Sequence, residues 1–164
     1  MRNSSIQAGQ GAIWNVRGGG ARRKQRLRLG LGFLGFGAGI VGLWALVWPR
    51  SFFDDFPSFG MTWVAELPRY SEHLVRDVGA LNLAFTLLFV WSAMTLERTL
   101  LRATLSAWLV FAIPHFIFHL LHVDAHSSSS ALAQMVLLGT GIALPLLLLY
   151  MNEKTDSRSG RRAY

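Results

Sequence analysis

The chain has 164 residues, enough for one domain, no cysteine, and a formal net charge of +7. Hydrophobic residues make up 52% of it and charged ones only 15%, against about 25% charged in soluble domains. Disulfides, thiolate metal sites and cysteine catalysis are excluded. The positive charge, gathered mostly in two tails beside apolar blocks, fits membrane topology and anionic headgroups rather than nucleic acid.

Residues 1–28 are polar, glycine-rich and basic, with Arg2, Arg17, Arg22, Arg23, Lys24, Arg26 and Arg28. No core-forming period runs through them, which predicts a disordered cytoplasmic tail. The tail is long for a signal peptide, and no small-x-small cleavage site follows, so the next apolar run is expected to stay as a first span. That span covers residues 29–48 and stops at Pro49-Arg50. Gly32, Gly35, Gly39 and Gly42 recur at intervals of three and four, leaving one smooth face. Such a face lets a neighbouring backbone approach closely, which predicts a packing seam within the chain, with homodimerisation as the other use of the same face.

Residues 49–74 interleave Phe52, Phe53, Phe56, Phe59, Trp63 and Tyr70 with Asp54, Asp55, Glu66 and Glu72. This mixture predicts a folded cap at the membrane interface, with a short interfacial helix over 60–67. The adjacent carboxylates Asp54 and Asp55 do not share a face, so they read as a solvated turn rather than an acid/base pair. A second span is expected over 72–96, with Ser71 as N-cap and Glu72 and Asp77 favoured by the helix dipole. Asn82, Thr86, Ser92 and Thr95 are placed to hydrogen-bond between helices. A tight turn at 97–99 leads to a third span over 101–123, where Pro114 predicts a kink, and a fourth follows over 131–151. The second tail, 152–164, carries Lys154, Arg158, Arg161 and Arg162. The two tails and the 97–103 turn hold 13 of the 16 Lys and Arg residues, so both termini are expected in the cytoplasm of a plasma-membrane protein.

The chemistry-bearing stretch is 114–126, P-H-F-I-F-H-L-L-H-V-D-A-H. At 100° per residue, His115, His119, His122 and His126 fall within an arc of about 60° on one helix face. Topology brings His73 and Asp77, at the start of the second span, to the same depth. Ionisable groups within a span usually face the bundle interior and are functional candidates. One reading is a transition-metal site built from His73, Asp77, His115, His119 and His122, with Asp124 as a further carboxylate. A haem would need ligands from two facing helices, leaving His73 or Met135 to partner the third span. Membrane di-iron oxygenases also use H-x-x-x-H boxes but need more than the five histidines present. The residues favour structural or partner contacts over metal or proton handling, and both over lipid or quinone chemistry. No nucleophile–base–orienter set or phosphate-binding glycine loop is present.

Three motifs, P-R-S-F-F-D-D-F-P (49–57), E-H-L-V-R-D-V-G-A-L-N-L-A (72–84) and P-H-F-I-F-H-L-L-H (114–122), resemble a group of actinobacterial four-helix integral membrane proteins with no assigned activity, similar in layout to DoxX-like proteins. The resemblance implies the four-helix layout and no particular reaction. The sequence therefore predicts an all-α, four-helix transmembrane bundle with an aromatic-rich extracytoplasmic loop between the first two spans. Its expected role is a non-enzymatic accessory or assembly component, in contact with the lipid bilayer and with other membrane subunits or a second copy.

Overall fold

Five helices and one hairpin form the computed structural model, which describes residues 4–66, 69–123 and 128–153, with side chains from residue 20 onward. In chain order they are α1 (Ser4–Val47), α2 (Pro49–Asp55), β1 (Pro57–Ser58), β2 (Met61–Thr62), α3 (Glu72–Thr95), α4 (Arg98–Leu121) and α5 (Ser128–Glu153). The 20–47 part of α1, and all of α3, α4 and α5, are long and apolar enough to cross a membrane. Their polarity is arranged for lipid. Leu43, Val110, Leu121 and Leu132 point outward, while Asn82, Ser92, Thr104 and Gln134 are buried. The protein is a four-helix membrane bundle.

The main core lies toward the basic end of the bundle. There Leu27, Leu31, Leu34 and Ala38 of α1 meet Phe85 and Phe89 of α3, Leu101 and Leu105 of α4, and Leu148 of α5. A smaller cluster at the other end joins Ala45, Phe52 and Val75, with Trp44, Phe56 and Tyr70 packed around it. Between the two, α1 and α3 approach at glycine. A Cβ on Gly42 would lie 3.0 Å from Gly79 O, and one on Gly79 would lie 2.6 Å from Leu46 N. One on Gly35 would press Phe89 Cβ at 3.2 Å. The expected seam is thus within the chain, and α3 is what fills it. Gly32 differs: nothing lies within 4 Å of its missing side chain.

Polar groups complete the joints. Arg76 of α3 donates to Leu46 O at the C-terminal end of α1, where free carbonyls favour a cation. Ser92 and Thr104 share a buried 3.2 Å hydrogen bond between α3 and α4. At the turn between those helices Leu96 takes a left-handed φ of 51°. Glu97 caps α4 by accepting from Thr99 N (2.8 Å) and Leu100 N (2.6 Å), and these two amides hold its carboxyl below the usual glutamate range.

Four expectations change. The segment expected as a disordered tail continues α1 back to Ser4. From residue 20 its Arg, Lys, Gln and Leu are strong helix formers, and the burial of Leu27 extends the packed helix beyond the apolar run. The short helix expected over 60–67 is found instead at Pro49–Asp55, started by a proline at its first position. Residues 57–62 instead make a hairpin, Pro57 opposite Thr62 and Ser58 opposite Met61. Ser71 stands at the N-cap of α3 but makes no side-chain cap bond. Of the four polar residues on α3, only Ser92 reaches another helix, because Asn82, Thr86 and Thr95 bond to carbonyls one turn back.

The glycine seam gives a paired prediction. Gly79→Ala should destabilise the bundle by about 1–3 kcal/mol through overpacking, whereas Gly32→Ala should stay within about 0.5 kcal/mol of the parent. Thermal unfolding in mild detergent separates the two, and equal losses would mean that the α1–α3 crossing is not at Gly79.

Candidate functional site

The histidine face of α4 is set by its packing on α5. Trp108 Nε1 donates to Gly141 O at 2.8 Å, and this bond fixes the antiparallel register of the two helices. Seven residues, two turns, from each end of it bring His115 level with Gln134. Eleven residues, three turns, bring His119 level with Ser130. Both steps return to within about 20° of the starting azimuth, so the same two faces meet at all three levels. At the far end Arg98 Nη2 donates to Asn152 O at 3.0 Å, which agrees with the same alignment. α4 runs as a helix through Pro114.

Aromatic stacking holds the imidazoles. The His115 ring lies on Phe111 with centroids 5.3 Å apart and planes 16° apart. His119 meets His115 edge-on at 4.6 Å and is 7% exposed. Across the seam Ser130 and Gln134 are both buried, four residues apart on one face of α5. Gln134 Oε1 has no hydrogen-bond partner among the described residues, so the seam offers a buried acceptor at the depth of His115. The cap closes the top. Trp63, 5% exposed, donates from Nε1 to Ser130 Oγ at 2.7 Å and ties the 49–71 segment to the start of α5. Two touching imidazoles on α4 thus lie level with a buried serine and glutamine on α5, the serine bonded to an indole N–H of the cap. Chemically, such a set can hold and pass a proton.

The expected five-residue cluster does not assemble. His73 Nε2 pairs with Asp77 Oδ2 at 3.2 Å, but these side chains are 83% and 60% exposed. They do not join the α4 histidines, because α3 packs on α1 and this face turns outward. His122 ends α4, stacks on Phe118 at 4.3 Å and binds Phe118 O through Nδ1 at 2.8 Å. Among the described residues no three His, Asp or Glu side chains are grouped to hold a metal ion. The exposed position of His73 equally fails to supply a haem ligand facing α4. His126 and Asp124 lie outside the described residues. Trp63, Ser130 and Gln134 were absent from the expected set. The signal for the last two was their own four-residue spacing, which matches His115 and His119 once α4 and α5 are set antiparallel.

Comparison with protein-family models, with curated proteins and with solved structures gives no match.

The cap–bundle tie is testable by a double-mutant cycle. Trp63→Phe and Ser130→Ala should each lower stability, with a coupling energy of about 1 kcal/mol. Unfolding of the parent, both single variants and the double variant measures it; additive losses would show that the bond contributes nothing.

Proposed function

We propose that this chain is a non-enzymatic accessory or assembly component of a larger membrane complex, and that it presents the tip of the cap hairpin to its partner. The observation that carries this reading is Phe59. It is 93% exposed and sits at φ 61° in the two-residue turn between β1 and β2, beside Gly60 at φ 77°. Turns of this geometry favour Asn-Gly, and a left-handed bulky residue costs about 1–2 kcal/mol. The other cap aromatics repay burial: Phe52, Phe56 and Trp63 pack edge-on or tilted against one another and Trp44. Phe59 packs on none of them, so neither the fold of the turn nor the core accounts for it. An aromatic anchor for a contact outside the chain does, and such anchors dominate protein interfaces.

The charge distribution supports a plasma-membrane protein, of the bacterial kind that the motifs suggest, with both termini cytoplasmic. The hairpin then lies on the extracytoplasmic side. Phe59→Asn is expected to raise the unfolding temperature slightly and to abolish a protein cross-link formed in native membranes by a photoreactive residue placed at neighbouring position 61. A lone monomer, with cross-links to lipid only, sinks this reading.

A second reading, proton handling at His115 and His119, is favoured by the contact of the two rings opposite Gln134 and Ser130. In proteoliposomes, the combined His115→Ala and His119→Ala variant should then lose a pH-dependent response that the parent shows. An unchanged response removes the histidines from any proton path.

A further inference from the structure

On the outward surface of the α1–α3 pair runs an open groove of about 450 Å³. Its edges are Phe36, Leu43 and Val90, all strongly exposed, and its floor is lowered where Gly32 and Gly39 have no side chain. Thr86 is the only polar residue along it, and its hydroxyl already donates to Asn82 O at 2.9 Å. From Gly32 to Leu43 the groove follows eleven residues of helix, about 16 Å, and half of a bilayer's hydrocarbon core is about 15 Å. The trough therefore matches one leaflet's acyl region in length and chemistry.

Its basic end is charged. Arg28 lies one turn before Gly32 and within about 40° of it on the helix wheel. The Arg28 side chain crosses to α3, where Nε donates to Ala93 O at 3.2 Å. Ala93 is one turn beyond Val90, so the guanidinium stands at the mouth of the groove, between the same two helices. Lys24, exposed, is one turn further along the same face of α1. No Asp or Glu occurs in residues 20–47 of α1 or between Asp77 and Thr95 on α3. The nearest acid in sequence beyond α3, Glu97, has both oxygens committed to the amides of α4.

We propose that this groove binds one anionic phospholipid of the leaflet at the basic end. Its phosphate rests against Arg28 and Lys24, and one acyl chain lies along Gly32, Gly39 and Leu43. Charge decides against a second copy. Two chains in one membrane share an orientation, so docking through this face would set Arg28 and Lys24 against their own duplicates. A free phosphate would meet the cations but gain nothing from the apolar trough. An anionic lipid satisfies both parts, because cationic side chains at the membrane surface are attracted to anionic headgroups.

The test uses the full chain, delipidated in neutral detergent and offered phosphatidylglycerol, phosphatidylcholine or inorganic phosphate, with bound species counted by native mass spectrometry. One phosphatidylglycerol should be retained per chain, with phosphatidylcholine held at least about tenfold more weakly. Gly32→Leu fills the trough where nothing stands within 4 Å of a Cβ, so it should keep the parent's lipid-free unfolding temperature and lose the adduct. Combined Lys24→Gln and Arg28→Gln should weaken retention by at least about tenfold, and Arg28→Lys should keep part of it. Equal retention of both lipids overturns the headgroup contact, and an adduct that survives Gly32→Leu overturns the groove. Displacement of the lipid by inorganic phosphate alone, or a dimer that Gly32→Leu dissolves, assigns the site to a free anion or a second copy instead.

Discussion

The close approach of α1 and α3 at Gly42 and Gly79 is the constraint on which the rest of the bundle depends. Lipid supplies no hydrophobic drive for one apolar helix to leave it for another, so association must come from contact at short range and from polar joints. Two facing glycines permit that contact. A Cβ on either would stand 3.0 Å from the other's carbonyl oxygen. Once the crossing is set there, Arg76 reaches Leu46 O on one side of it, and Phe89 seats against Gly35 on the other. Arg28 crosses to Ala93 further along the same pair. The smaller apolar cluster around Ala45 and Val75 forms at the end of the same contact and gives the cap its footing.

The other joints are polar and sparse. Ser92 with Thr104 links α3 to α4, Trp108 with Gly141 links α4 to α5, and Trp63 with Ser130 links the cap to α5. Within hydrocarbon each such pair also specifies a register, since a one-residue slip would bury its donors and acceptors unpaired. The register set by Trp108 has a chemical consequence two and three turns away, where it aligns the imidazoles of α4 with Gln134 and Ser130.

The molecule thus has three surfaces of different character. The α4–α5 seam is buried, polar and closed by an indole. The hairpin tip is exposed, aromatic and left-handed in backbone. The α1–α3 groove is apolar with a cationic mouth.

Much of the fold was legible in the chain, because crossing a bilayer demands long apolar helices and the 3.6-residue period repeats without interruption within each. The four spans, the glycine face and the helical spacing of His115 and His119 follow from that. Helix azimuth did not, since depth can be counted from a span's end but rotation depends on which neighbour the helix packs against. Hence His73 and Asp77, expected beside the α4 histidines, face outward on α3. The cap eluded local reading for a related reason: its hairpin depends on left-handed backbone at Ser58, Phe59 and Gly60, and only glycine announces that conformation in sequence. By itself the sequence determined the spans, the segregation of charge and the residues available for chemistry. Tertiary structure alone decided which of them meet, because hydrogen-bonded register and close glycine contact act between segments far apart in the chain.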